Sequence, residues 1–182
     1  APLQHLVMLA PANHGSALAV LQPYLENPAL KAGVAGCVAQ LEGDTLLEHG
    51  ADLVVGPDWY GSLSEALSTL DGEEYQSVFD GFITENPEFL QAHPTDTGVS
   101  VFLPIQKGCD NFCTYCVVPM ARGPERSRDR TEILEEVARQ VAVGAREIFL
   151  LGQNVNSYKM EGGFPELLRA VAGVPGVDRV RF

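Results

Sequence analysis

The sequence predicts an α/β fold whose strands run parallel. Two observations predict it. Short apolar runs alternate with longer helical stretches, first over residues 6–70 and again over 99–182. Glycine and proline punctuate the joints between them, as turns do in strand–helix repeats. A strand that returns through a helix to a neighbouring strand makes a right-handed crossover, so both repeats imply parallel sheets. An acidic stretch between them divides the chain into residues 1–72, a connection over 73–98, and residues 99–182.

In the first repeat, Leu6-Val7-Met8-Leu9 reads as a buried strand. A loop over Ala10 to Gly15 leads to a helix over Ala17 to Leu25, which Asn27-Pro28 ends. Gly33-Val34-Ala35-Gly36 reads as a second strand that ends in a loop at Cys37. Gly43 to His49 reads as a short helix with Gly50 beyond its end, and Leu53-Val54-Val55 as a third strand stopped by Gly56-Pro57. A helix follows over Ser62 to Leu70. Sites in parallel sheets form at the C-terminal ends of strands, which is where this pattern puts Cys37.

Asp71 to Gly98 is acidic, with scattered aromatics and prolines, and reads as an interdomain connection with irregular packing. The second repeat opens with a strand over Val99 to Ile105. Asp129-Arg130-Thr131-Glu132 has the pattern of a helix start with Asp129 as N-cap. Ile133, Leu134, Val137 and Val141 then share one helical face, and Gly144 suits the C-terminal turn. Glu147 to Leu151 reads as a strand, Phe164 to Val171 as a helix, and Val180 to Phe182 as a third strand.

The 182 residues suffice for one large or two small domains. No apolar run reaches the roughly 18 residues that span a membrane, and the first residues lack a basic leader. No membrane association is therefore expected. Residues 1–100 hold 14 Asp and Glu against one basic residue, Lys31, a net of −13. Residues 101–182 hold 11 Lys and Arg against 10 acids, a net of +1. Phosphate contacts dominate nucleic-acid affinity, so the first half is no RNA-binding surface. Any RNA contact from this stretch falls to the arginines of the second half or to parts of the protein outside it.

The chemistry concentrates in Cys109-Asp110-Asn111-Phe112-Cys113-Thr114-Tyr115-Cys116, three cysteines at C-x3-C-x2-C spacing in the loop after a strand. The fourth cysteine, Cys37, stands alone. Clustered thiols argue for a metal site in a reducing compartment rather than a disulfide framework, which places the protein in the cytoplasm. Four thiolates close a zinc site or complete the ligation of a cubane cluster; three leave one metal position open. An open iron on a four-iron, four-sulfur cluster can bind a ligand that is itself a substrate. A zinc knuckle, or three unrelated buried thiols, is the plainer alternative, although no histidine lies at a common zinc spacing. His5, His14, His49 and His93 form no constellation.

The cysteine triplet, with an aromatic before its last member, resembles the signature of the radical S-adenosylmethionine (SAM) enzymes. The run from Gly108 to Pro119 and Arg122-Gly123-Pro124-Glu125-Arg126-Ser127-Arg128 resemble the methylthiotransferases among them. Leu150-Leu151-Gly152-Gln153-Asn154-Val155-Asn156-Ser157-Tyr158 is most similar to the tRNA-modifying branch, the 2-methylthio-N6-dimethylallyladenosine synthases. Val34-Ala35-Gly36-Cys37-Val38-Ala39-Gln40 is similar to the N-terminal domain of that family.

This resemblance implies a small N-terminal parallel α/β domain followed by the first part of a radical SAM partial (β/α) barrel. It also implies that the chain is a piece of a longer protein. Cys109, Cys113 and Cys116 would hold a [4Fe-4S] cluster whose fourth iron binds SAM. Tyr115 would flank the SAM adenine; an ordinary core aromatic is the alternative. Gly152, Gln153 and Asn154 would help fix the SAM amino group. Arg122, with Arg126 and Arg128, would contact SAM, RNA phosphate or acidic side chains, and Glu125 would pair with these arginines. The reaction implied is insertion of a methylthio group at C2 of N6-dimethylallyladenosine near the anticodon of tRNA. A reductant such as flavodoxin or ferredoxin would supply electrons. A sibling acting on a ribosomal-protein aspartate or on threonylcarbamoyl adenosine is the nearest rival. A non-catalytic iron–sulfur or zinc module is the rival of another class.

Cys37 matches the third of three cysteines that hold an auxiliary [4Fe-4S] cluster in the family. The second falls near Ala12, and one thiolate cannot hold a cubane. Met120 and Ala121 also depart from the family's pattern before Arg-Gly.

Overall fold

The computed structural model describes residues 6–9, 14–27, 30–68, 77–83, 89 and 98–182. The chain divides into two compact units. One comprises residues 1–83 with Met120–Arg122, the other residues 84–119 and 123–182.

The first unit is a parallel sheet of four strands in the order β1-β2-β3-β4: Leu6–Leu9, Lys31–Ala35, Leu53–Val55 and Ser77–Phe79. The connecting helices are α1 (His14–Leu25), α2 (Cys37–Glu48) and α3 (Leu63–Ser68). Val34 and Val54 bury with Leu21, Val38, Ala39 and Leu46. Leu53 and Val55 bury among Trp59, Tyr60, Leu63 and Leu67. Strands β2 and β3 are thus covered on both faces, as strands of continuous apolar character require.

Three details differ from the pattern read in the sequence. Helix α1 starts at His14, ahead of Ala17, and carries Pro23 within it. Helix α2 is two helical segments on either side of a break at Glu42 (φ −137°, ψ 29°): the one after the break is the short helix read from Gly43, and the one before it, from Cys37, is additional. Gly36, at φ 108°, makes the turn from β2 into that helix. The acidic stretch contains a strand, β4, which an acidic context and only three residues had concealed. Ala12, Pro28, Thr69 and Leu70 lie outside the described residues, as do His5 and His93.

The second unit holds a parallel three-stranded sheet, β5-β8-β9, formed by Ser100–Pro104, Glu147–Leu151 and Arg179–Arg181. Helices α5 (Arg130–Ala142) and α6 (Gly163–Ala172) are the crossovers. Alternation sends Val101, Leu103, Ile148 and Leu150 into one core with Ile133, Val137, Phe164, Leu167 and Val171. Phe102 and Phe149 alternate to the opposite face, where their rings stack with centroids 4.9 Å apart. Asp129 caps α5 as the sequence predicts, its carboxylate accepting from the backbone N–H of Thr131 and Glu132. The predicted face of Ile133, Leu134, Val137 and Val141 is the one that packs on the sheet. Between β5 and α5 lie a two-residue antiparallel ladder, β6 (Gln106–Lys107) with β7 (Arg126–Ser127), and the short helix α4 (Val118–Arg122).

Candidate metal centre

The cysteine loop is tied at its base. The backbone N–H of Arg128 donates to Ile105 O at 2.9 Å, Gln106 pairs with Ser127, and Lys107 pairs with Arg126. The Cys109 N–H donates to Gly123 O at 3.1 Å. Residues 108–125 are thereby held as a closed loop at the C-terminal end of β5. The stem is tight enough to demand glycine at Gly108. Its φ is 73°, and a Cβ there would lie 2.1 Å from Pro124 O.

Sequence reasoning missed what buttresses the stem. The segment that follows β8 grips it at successive points. Gln153 Oε1 accepts the Gly108 N–H at 2.7 Å, and the Asn154 N–H donates to Gln106 Oε1 at 3.1 Å. The Ser157 hydroxyl donates to Glu125, the Lys159 N–H donates to Ser127 Oγ at 2.9 Å, and the Tyr158 hydroxyl donates to Arg128 O at 2.8 Å. Lys159 Nζ pairs with Asp110 and lies 3.6 Å from Glu125 Oε1. One signal was available. Gln106 is a polar residue directly after an apolar strand, and it is 1% exposed. A buried amide must find partners, and Gln106 finds them in Gly108 O and the Asn154 N–H.

The charges around the loop reinforce it. The Glu125 N–H and the Lys159 ammonium hold the Asp110 carboxyl below its usual range, and Asp110, against the opposing effect of desolvation, holds the Lys159 ammonium above its own. Burial pushes the Tyr158 hydroxyl up to about 12, so it stays a neutral donor to Arg128 O.

The predicted site residues divide by environment. Cys109 is buried, Cys116 half-buried and Cys113 exposed, and all three thiols are free. Tyr115 is 92% exposed and Phe112 85%, which removes the core-aromatic alternative for Tyr115. Gly152 is exposed, and a Cβ on it would come within 2.6 Å of Gln106 Oε1. Gln153 is exposed and Asn154 half-buried. Arg122 is half-buried, and its Nε donates to Cys37 Sγ at 3.1 Å. Glu125 pairs with Ser157 and Lys159 rather than with the arginines. Arg128 is a structural residue. Its guanidinium is buried and paired with Glu136, because α5 turns Glu136 inward.

Three soft thiols on one tied loop are a donor set suited to an iron–sulfur cluster, in which each thiolate takes a separate iron. Among the described residues, no three of His, Cys, Asp or Glu converge as the ligands of a single metal ion would. Cys37 begins α2 and is the one cysteine in residues 1–108, so the cysteines present cannot hold a second cluster.

The chain is similar to known proteins. Residues 103–180 match the family model of the radical SAM superfamily. A tRNA-2-methylthio-N(6)-dimethylallyladenosine synthase of Bacteroides fragilis is 48% identical over 159 residues, which cover 82% of this chain and 35% of that protein. The synthase of the same name from Bacteroides thetaiotaomicron is 46% identical over 163 residues, and that from Citrobacter koseri 42% over 166. The chain thus spans about a third of the length of these curated relatives. In fold it is similar to the radical S-adenosylmethionine methyltransferase TsrM of Kitasatospora setae, solved with cobalamin and a [4Fe-4S] cluster. That match has a TM-score of 0.57 at 14% identity and covers 90% of this chain and 40% of that one. Residues 103–180 are thus similar to the radical SAM superfamily, in a chain that over most of its length is similar to the tRNA-2-methylthio-N(6)-dimethylallyladenosine synthases.

Proposed function

We propose that this chain is the cluster-bearing part of a tRNA methylthiotransferase that inserts a methylthio group at C2 of N6-dimethylallyladenosine. The observation that carries the reading is the tied loop bearing Cys109, Cys113 and Cys116 at the end of β5, in a chain 48% identical over 159 residues to a synthase of that name. In this reading β5, β8 and β9 with α5 and α6 are the opening units of a partial (β/α) barrel, and residues 1–72 are the methylthiotransferase-type N-terminal domain.

Cys109, Cys113 and Cys116 would hold the [4Fe-4S] cluster, which when bound would supply the one-electron reduction of SAM. The chain's own residues position the reactants. Tyr115, exposed beside the cysteines, offers a ring face to the adenine of SAM. Gly152, Gln153 and Asn154, at the C-terminal end of β8, face the SAM amino group, as sites on parallel sheets do. Gln153 spends its carbonyl oxygen on Gly108, which leaves its amide N–H groups to orient a ligand. Arg122 is assigned to SAM on the resemblance of its motif alone. Cys37 matches an auxiliary-cluster ligand, but the cysteines present do not complete that site, and no step is assigned to it.

The partners that follow are tRNA and a reductant such as flavodoxin or ferredoxin. The cytoplasm, a reducing compartment, suits free thiols and an iron–sulfur cluster. No helix among the described residues is long and apolar enough to cross a membrane.

The test has two arms. Anaerobic reconstitution of the chain, followed by iron and sulfide analysis and electron paramagnetic resonance, should give a cluster signal that SAM perturbs. The full-length parent, incubated with tRNA, SAM and reductant, should yield the methylthio nucleoside by mass spectrometry. Zinc in place of iron would move the reading to a structural module. A product on protein or on threonylcarbamoyl adenosine would move it to a sibling.

A further inference from the structure

Among the cysteines of the loop, Cys109 has the most constrained backbone. The residue before it, Gly108, is gripped on both sides by side-chain amides. Its N–H donates to Gln153 Oε1 at 2.7 Å, and its C=O accepts from Gln106 Nε2 at 2.6 Å. The next N–H, that of Cys109, donates to Gly123 O at 3.1 Å. Three successive backbone groups are therefore fixed from three directions. Cys109 is 8% exposed, whereas Cys113 is exposed and Cys116 has a local backbone bond to Cys113 O at 3.0 Å.

The two amides come from different elements, which makes the grip more than a feature of the loop. Gln106 stands on β6, inside the stem. Gln153 stands on the segment after β8. They are joined through Asn154, whose N–H donates to Gln106 Oε1 at 3.1 Å. The amide orientations are fixed by chemistry, since each oxygen faces a backbone N–H and the Gln106 nitrogen faces a carbonyl. Two glycines make room. Any side chain on Gly108 would strike Pro124 O, and a Cβ on Gly152 would press on Gln106 Oε1 at 2.6 Å.

We infer that Gln106 and Gln153 are positioning residues that clamp Gly108 between β6 and the segment after β8, and so hold Cys109 as the fixed post on which the metal centre assembles. The Cys109 half of this inference rests on the cluster reading above; the clamp itself does not. Cys113 and Cys116 then close around a centre whose first ligand is already in place. The clamp also ties the segment proposed to face SAM to the first cysteine, so that a shift in one displaces the other.

The test compares Gln153→Met, which keeps the length of the side chain but removes the acceptor, with Gln153→Glu, which keeps an acceptor. Residue 153 is exposed, so both variants should fold. The first readout is amide hydrogen exchange at Gly108 and Cys109 in the chain without metal. Gln153→Met should exchange about tenfold faster at Gly108, as loss of one half-buried hydrogen bond predicts, and Gln153→Glu should match the unaltered chain. The second readout is the rate of iron uptake on anaerobic reconstitution and the paramagnetic resonance line shape. Both should be disturbed in Gln153→Met and restored in Gln153→Glu. Unaltered exchange in Gln153→Met would overturn the clamp. Faster exchange with unaltered iron uptake and line shape would overturn its role at the metal centre. An unaltered chain that takes up no iron would instead overturn the cluster reading, and with it the Cys109 half of the inference.

Discussion

Arg128 Nη2 lies 2.6 Å from Glu136 Oε2, and both side chains are 1% exposed. The pair joins the end of the cysteine-loop stem to helix α5. Removing one partner from a buried pair leaves the other charge uncompensated, which costs about 3–5 kcal/mol. Glu136→Ala should therefore lower the unfolding free energy by about that amount in a urea titration. Replacing both residues by apolar ones of similar size should cost less than the single change. A single change within about 0.5 kcal/mol of the unaltered chain would refute the pair's structural role.

Gly108→Ala tests the tightness of the stem. The added Cβ meets the backbone carbonyl of Pro124 at 2.1 Å, which no rotamer relieves, and the φ of 73° disfavours alanine. The expected cost is about 1–3 kcal/mol, with loss of iron uptake on reconstitution. Normal stability and full iron content would show that the stem opens easily.

Iron content separates the cysteines. Reconstitution should deliver about four irons per chain, the content of one cubane. Cys109→Ser, Cys113→Ser and Cys116→Ser should each reduce it sharply, while Cys37→Ser should leave it unchanged. About eight irons would reveal ligands to a second cluster beyond the four cysteines.

Acid titration reads Glu147. The hydroxyl of Ser100, then the guanidinium groups of Arg181 and Arg179, hold its carboxyl at about 2, against 4.5 for the free side chain. A carboxylate whose folded value is depressed stabilises the fold above its unfolded value. That contribution fades as pH falls from about 4.5 towards 2. Glu147→Gln should flatten the stability curve in that window and leave its shape unchanged near neutrality. Because Glu147 tethers β5 and β9 from the strand between them, an unchanged acid limb would mean that these bonds do not persist in solution.

Asp129→Ala tests the cap of α5. Losing the bonds to the Thr131 and Glu132 N–H groups should cost about 1 kcal/mol in a denaturant titration. Asp129→Asn should recover most of it.

The sequence by itself determined the alternation of strand and helix, because apolar periodicity is a local property that burial later rewards. Ile133, Leu134, Val137 and Val141 form the packed face of α5 that the pattern assigned to them. It determined the N-cap at Asp129 and the three thiols, whose spacing on one loop needs no fold to be recognised. The tertiary structure alone decided the rest. Strand β4 carries too little local signal to stand out from an acidic stretch; its pairing with β3 makes it a strand. Helix α2 has a first segment from Cys37 to the break at Glu42, ahead of the segment that Gly43 marks. The side-chain partners of Gly108 lie 2 and 45 residues away, and the partners of the Glu125 carboxylate lie 32 and 34 residues away. Side-chain amides and carboxylates find such partners only once parallel strands β5 and β8 bring their C-terminal ends together, so no local pattern could announce them.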